Sequence, residues 1–381
     1  MPYPLNETEA LIMDTVRAFA RDRVRPRAAE IDRSGQFPRD LIAAMGEMGL
    51  MGVCLPEEYG GAGQSYVLFA MIVEELCAAC ASTGLALDVN ISLCAEPIWR
   101  FGNEEQKRTF LEPLATGRKL GALAMTEPGA GSDAAGIRTT AVRTGNTYVL
   151  NGTKTFITNG SVADTYVVTA VTDRSAGHKG ISDFIVEKGT PGLSFGEPMH
   201  KMGIRGSVTT EVLFTDCAIP AANLLGREGQ GFTITMETLD AGRIGVAAQA
   251  VGIARSALDD AIAYASQRRQ FGKTITSFQA IQFMISDMAT AIEAARLLTL
   301  QAAELRQRGI PCARESAMAK LFAGDTAMKV ATDALQLFGG YGYMEEYPAE
   351  RHMRDAKITQ IYEGTNQIQR LVIARAILGR E

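Results

Sequence analysis

Glu363 sits in the run Ile361-Tyr-Glu-Gly-Thr-Asn-Gln-Ile-Gln-Arg370, directly before a glycine and a stretch with helical spacing. Gly364 lets the backbone turn sharply, Thr365 has the side chain of a helix cap, and Ile368, Leu371 and Val372 give the helix an apolar face. A carboxylate held at such a corner and stripped of water has its pKa raised toward neutrality, which suits a general base. The plainer alternative is a solvated carboxylate in a first helical turn, which the helix dipole favours. A second candidate is Thr126-Glu-Pro-Gly-Ala-Gly-Ser132, where two glycines and a proline make a turn whose amides can face an anion or a ring edge, with hydroxyls on either side. A purely structural turn is its alternative. Arg268 can pair bidentately with phosphate, and Gly339-Gly340 allows close approach to the backbone; alone, Arg268 also reads as a solvated charge at a helix end.

These residues fall on segments of different texture. Residues 1 to about 120 read as an all-helical domain. Thr8 to Arg25 places Leu11, Ile12, Val16 and Phe19 on one face, with Pro26 ending or bending the helix, and Pro38 to Leu50 and Ser65 to Ala81 repeat the pattern. The glycine-rich Tyr59 to Gly63 is a loop and not a phosphate cradle, because no strand precedes it and no lysine follows. From 121 to 230 short β-branched runs alternate with turn residues. Tyr148 to Thr158 predicts a hairpin turning at Asn151-Gly152, and Thr165 to Val171, Phe184 to Glu187 and Glu211 to Phe214 predict further strands of a small β-barrel or sandwich. From 231 to 381 the helical texture returns, with Ile244 to Arg269, Ser277 to Arg308 and Cys312 to Phe338 long, alanine-rich and apolar on more than one face, as in a four-helix bundle. The expected fold is therefore a multidomain α+β chain.

The 381 residues, 46% of them hydrophobic, suffice for a large core. A net charge of −5 argues against nucleic acid or an anionic membrane as partner. No apolar run has the length of a membrane span, and the N-terminal residues lack signal-peptide organisation. The reading is a cytoplasmic bacterial protein, or a mitochondrial-matrix protein after removal of a transit peptide. Six scattered cysteines do not form a disulfide framework; Cys77 and Cys80 read as packed thiols on one helix face, and three unclustered histidines leave no expected metal site.

The motifs in their order carry a resemblance. Leu123-Ala-Met-Thr-Glu-Pro-Gly-Ala-Gly-Ser-Asp133, Asn151-Gly-Thr-Lys-Thr-Phe-Ile-Thr-Asn159, Arg268-Arg-Gln-Phe-Gly272, Gln336-Leu-Phe-Gly-Gly-Tyr-Gly342, Pro348-Ala-Glu-Arg351 and the Tyr-Glu-Gly-Thr run resemble the acyl-CoA dehydrogenase family from about residue 5 to 378, above all its short-chain, butyryl-CoA type. Removing hydrogen across an unactivated carbon–carbon bond needs a hydride acceptor that side chains cannot provide, and the chain lacks a strand-linked G-x-G-x-x-G. The resemblance implies loop-bound FAD. It implies that Leu123, Ala124, Met125, Thr126 and Ser132 lie along the flavin and its pyrophosphate, and that Phe156, Ile157 and Thr158 lie on the ring face. Arg268, Gln279, Gln336, Leu337, Phe338, Gly339 and Gly340 would hold pyrophosphate and adenosine from a neighbouring subunit of a homotetramer. Thr365, Asn366 and Gln367 complete the implied cofactor set. Ser132, Asp240, Ala241, Gly242, Arg243 and Gly364 would meet the acyl-CoA. Glu363 would take the α-proton of the acyl-CoA while the β-hydrogen leaves as hydride to flavin N5, giving a trans-2-enoyl-CoA, with electron-transfer flavoprotein as acceptor. Its backbone N–H and a flavin ribityl hydroxyl would bind the thioester oxygen. Some relatives carry the base where this chain has Gly242, which cannot serve.

Asp88 departs from the pattern. In Ser82-Thr-Gly-Leu-Ala-Leu-Asp-Val-Asn90 it stands where short-chain members usually place a small neutral residue lining the acyl pocket. Either it points to solvent or pairs with a cation, or it enters the pocket as a second base or polar contact and favours a cyclic acyl-CoA such as cyclohexane- or cyclohexenecarboxyl-CoA. Three further alternatives are an acyl-CoA oxidase, a flavin-containing nucleic-acid-binding relative and a catalytically silent CoA-binding protein.

Overall fold

The computed structural model describes residues 3–379, so the extreme ends of the expected first and third segments lie outside it. Helix α1 (Glu7–Phe19) opens with a reciprocal capping box between Asn6 and Glu9 and buries Met13, Val16 and Phe19. Pro26 does not end the helical path. The chain continues through a π turn (Ala20–Val24) and a 3-10 turn (Arg25–Arg27) into α2 (Ala28–Ser34), because a proline near the start of a helical turn lacks only an amide that would go unused there. After α3 (Arg39–Glu47), α4 (Tyr66–Ala79) starts at its Ser65 cap and is buried on nearly every side. Its one buried carboxylate, Glu74, is paired with Arg255 and Arg296, both at 2.9 Å. Cys80 breaks the helix with extended backbone before α5 (Ala81–Asp88). Cys77 and Cys80 are thus buried free thiols, as expected, but not on one helix face.

The middle segment forms one eight-stranded sheet: β1 (Gly121–Ala124), β2 (Thr140–Thr144), β3 (Thr147–Thr158), β4 (Thr165–Val171), β5 (Ile181–Glu187), β6 (Leu193–Phe195), β7 (Thr209–Pro220) and β8 (Leu224–Leu225). The hydrogen-bonded order is β6-β7-β3-β2-β4-β5-β8, with β1 parallel to β4. Both faces of β4 are covered: Tyr166 and Val168 join an aromatic core with Tyr148, Phe184 and Phe214, while Val167 packs on Ile98, Phe110 and Ile185. The expected hairpin at Asn151-Gly152 is not there. β3 runs straight through it, and the tight turn lies at Gly145-Asn146, between β2 and β3. Asn151 is instead tied across the sheet to Asp216, accepting from its amide at 2.8 Å and donating to its carboxylate at 3.1 Å, beside a register shift between Leu150 and Gly152. A bulge uses the same residue types as a turn.

The third segment packs α6 (Gly231–Gln267), α7 (Gln279–Gln307), α8 (Ala313–Phe338), α9 (Pro348–Ile358) and α10 (Asn366–Leu378). Ala241 to Ala254 of α6 are almost wholly buried, because small residues let α4, α5 and α8 close around it. The helix starts well before Ile244, so Asp240 and Arg243, an ion pair at 2.7 Å, lie inside it. On α10 the buried side chains are Asn366 and Gln369, while Leu371 of the expected apolar face is 51% exposed. Among the described residues no helix is long and apolar enough to cross a membrane, and no cluster of metal-ligating side chains occurs.

Candidate active site

Glu363 stands between α9 and α10 with a φ of 53°, a conformation that ordinary residues adopt at a cost of roughly 1–2 kcal/mol. Thr365 caps α10 by accepting from the Ile368 amide (3.3 Å), and Gln369 returns its side-chain amide to the carbonyls of Glu363 (3.1 Å) and Gly364 (2.9 Å). The corner is therefore rigid. The residue is half-buried, but its Oε2 is closed off from solvent and has no hydrogen-bond partner. Burial pushes its carboxyl up to about 7 against the opposing pull of the Lys320 and Arg243 charges.

The carboxylate faces α6. A Cβ built on Gly242 would lie 2.1 Å from Glu363 Oε2, and one on Gly245 would lie 1.9 Å from Asp88 Oδ1. Two glycines one turn apart thus make room for two carboxyl groups. Asp88 neither reaches solvent nor meets a cation, which corrects the first of its two expected placements. It is fully buried at the end of α5; Ser92 donates to its Oδ1 (2.9 Å) and its Oδ2 has no partner. Burial, with the nearby Glu363 charge, raises its carboxyl well above the usual range. Tyr362 donates its hydroxyl to Gln249 Oε1, and Gln249 keeps a buried Nε2 without partner. Gln249, Gly245, Ser92 and Lys320 escaped the sequence reading. The available signal for Lys320 was a lysine in the small-residue stripe of Ser316, Ala317, Ala323, Gly324 and Ala327.

A second region forms where the loop after β1 meets β3. The Thr155 amide donates to the Thr126 carbonyl (2.8 Å), and Lys154 donates to the Met125 carbonyl (2.9 Å) and to Glu127 (2.8 Å). Glu127 also accepts from the Arg138 (2.6 Å) and Thr139 (2.9 Å) amides. Beside this locked loop Phe156 has a φ of 57° and is 67% exposed. An aromatic ring held outward on strained backbone, with Thr126 and Thr158 half-buried nearby, fits a flat ring with a polar edge. Leu123 and Met125 are half-buried, Ala124 and Ile157 buried, and Ser132 exposed past the turn.

Three family models tile the chain: the acyl-CoA dehydrogenase N-terminal domain over residues 6–118, the middle domain over 122–217 and the C-terminal domain over 229–378. The chain belongs to the acyl-CoA dehydrogenase family. The short-chain specific acyl-CoA dehydrogenase of Clostridium acetobutylicum is 51% identical over 99% of this chain and 100% of its own. The solved butyryl-CoA dehydrogenase of Megasphaera elsdenii is 49% identical, with a TM-score of 0.97 over 99% of this chain and 100% of that one. A chain in the structure of the electron transferring flavoprotein of Acidaminococcus fermentans is 55% identical, with a TM-score of 0.98 over 99% of this chain and 100% of its own. As an acyl-CoA dehydrogenase the protein is an oxidoreductase, and the family is FAD-dependent.

The remaining positions implied by the family likeness divide. Arg268 lies 5.5 Å over the Tyr341 ring, and Tyr264 stacks on Phe338 at 4.4 Å, so Arg268 and the Gln336 to Gly340 run share one end of the bundle. Gln279, Gln336, Gly339 and Gly340 are exposed there, whereas Leu337 and Phe338 are buried. None of them has a hydrogen-bond or ring contact to Thr126 or Phe156 among the described residues. Ala241, Gly242 and Arg243 are buried, Asp240 and Gly364 half-buried, and Gln367 exposed. Asn366 is spent within the chain: its oxygen accepts from Lys320 (3.0 Å) and its amide donates to Asp325 (2.7 Å).

Proposed function

We propose that the protein oxidises a short-chain acyl-CoA to the trans-2-enoyl-CoA, with Glu363 as the base that removes the α-proton. The observation that carries this is the Glu363 carboxyl, fixed on strained backbone, closed from water and raised to about 7. A base with a pKa near working pH is unprotonated often enough to act and basic enough to pull. Its amide, which makes no hydrogen bond among the described residues, is free to receive the thioester oxygen as enolate charge develops. Leu123 to Thr126, Ser132 and Phe156 to Thr158 would hold FAD, which when bound supplies the hydride acceptor. The names of the Clostridium and Megasphaera relatives support short chains, and the Acidaminococcus structure supports electron-transfer flavoprotein as electron acceptor. We keep the three-segment division at 120 and 230 and a homotetramer that completes the cofactor site between subunits.

A second reading, which the likeness to short-chain enzymes does not favour, starts from Asp88. A buried carboxyl whose Oδ2 has no partner, facing α6 one helical turn along from Glu363, is placed to meet a polar or cyclic acyl group. Anaerobic mixing with butyryl-CoA and with cyclohexane- and cyclohexenecarboxyl-CoA separates the two. Bleaching of the flavin band by butyryl-CoA alone, unaffected by Asp88→Asn, supports the short-chain substrate; bleaching only by a cyclic ester, lost in Asp88→Asn, replaces it. Glu363→Gln should retain FAD and CoA-ester binding and lose flavin reduction by orders of magnitude; reduction at near-native rate removes Glu363 from the role.

A further inference from the structure

Lys320 on α8 is fully buried, and a buried ammonium is retained only where its surroundings compensate it. Here its Nζ donates to the Gly364 carbonyl (2.8 Å) and to Asn366 Oδ1 (3.0 Å). Asn366 passes the connection to Asp325, which also accepts from Gln360 (2.7 Å). The bonds grip both sides of Glu363, yet leave its Oε2 without a partner. We propose that Lys320 is a positioning residue for the reaction, holding the strained Glu363–Gly364 backbone against α8 and setting a positive charge opposite the Glu363 carboxylate. The inference rests on the reading of Glu363 as base.

The charges around the pair come from every neighbouring element. Glu363 faces Lys320 from α8 and Arg243 from α6, with Asp88 at the end of α5 and the Tyr362 hydroxyl beside it. Lys320 faces Glu363, Arg243 and Asp325. Burial brings the Lys320 amine down to about 7 while the Glu363 charge holds it up. Removing the lysine charge takes a stabilising neighbour from the carboxylate, so the base binds its proton more tightly and the acidic limb of the rate profile moves to higher pH. The Gly364 carbonyl also loses one of two donors, Gln369 remaining.

The test compares FAD-loaded wild type with Lys320→Met, Lys320→Gln and Glu363→Gln. Two readouts are needed: hydrogen–deuterium exchange across residues 360–369, and the pH dependence of flavin reduction by butyryl-CoA or whichever ester bleaches the wild type. Lys320→Met should speed exchange across the segment about tenfold and raise the midpoint of the acidic limb by about one pH unit, while the dissociation constant of the ester moves less than about threefold. Lys320→Gln keeps a donor without the charge, so its midpoint should rise while exchange stays closer to wild type. It carries the test if Lys320→Met does not fold. A wild-type midpoint in folded Lys320→Gln overturns the electrostatic role, and wild-type exchange in folded Lys320→Met overturns the clamp. If Glu363→Gln still reduces flavin, the base reading fails by itself, and the exchange arm still decides whether Lys320 grips the loop.

Discussion

Glu363 combines two costs that a merely structural residue avoids, a positive φ and a carboxyl oxygen closed off without a partner. Both become explicable if the oxygen is kept free for a substrate proton. With its carboxyl raised to about 7, the unprotonated fraction grows as pH rises through neutrality. The rate of flavin reduction measured by stopped flow should therefore climb about tenfold per pH unit below that point and level off above it. The glycines opposite provide a second check. An alanine Cβ at 245 would stand 1.9 Å from Asp88 Oδ1, inside any allowed contact. Gly245→Ala should displace Asp88 and leave the Glu363 corner in place, whereas Gly242→Ala strikes Glu363 Oε2 itself. Reduction rates should fall far more in Gly242→Ala, by about a hundredfold for a misplacement near 1 Å; equal losses would mean that the two carboxyls do not act separately.

At the scale of elements, the sheet and the bundle are joined through a buried polar contact. Asp183 on β5 is fully buried and accepts from Thr235 on α6 at 3.0 and 3.2 Å, and Thr235 also meets Thr169 of β4 at 3.1 Å. Burial raises the Asp183 carboxyl from 3.8 to about 7. The folded state holds this proton more tightly than the unfolded chain, so the contribution is fully present at acidic pH and is lost as pH rises toward 7. Asp183→Asn removes the ionisation. Denaturant unfolding at pH 5 and pH 8 should show the variant gaining on wild type at the higher pH by on the order of a few kcal/mol; a parallel pair of curves would mean that Asp183 does not titrate in that window. Elements of this kind differ in how far the sequence reveals them. The Gly364 corner and the Thr365 cap were legible because both are local and depend on neighbours in the chain. The hairpin at Asn151-Gly152 failed because its tie to Asp216 lies 65 residues away. Likewise the burial of Asp88, Asp183 and Lys320 is set by helices and strands remote in sequence, and periodicity places a residue on a face without saying what that face meets.

At the scale of the whole molecule, the positions expected to hold one cofactor occur in two groups: Thr126 and Phe156 at the sheet, Arg268 and Gly339 to Gly340 at the end of the bundle. The bundle also leaves apolar surface uncovered. A groove of about 610 Å³ between α7, α8 and α10 is lined by Met288, Phe322, Asp325, Arg370 and Ile373, and Phe322 and Leu371 are 41% and 51% exposed. Exposed apolar surface beside a groove is a feature of association surfaces, and a second copy seated there would cover Phe322 and the apolar lining of the groove. If association also brings the bundle end of one subunit to the sheet of another, oligomerisation and FAD retention must be lost together. Phe322→Asp combined with Ile373→Asp places two charges in the lining of that groove without touching Glu363 or Phe156. If the proposed tetramer forms through this surface, sedimentation should show the double variant as smaller species than wild type, and the flavin absorbance remaining with those species after gel filtration should fall by about tenfold or more, since the proposed contacts to pyrophosphate would be missing. Smaller species that kept their full flavin would show that a single chain binds the cofactor, and the two groups of residues would then need separate explanations.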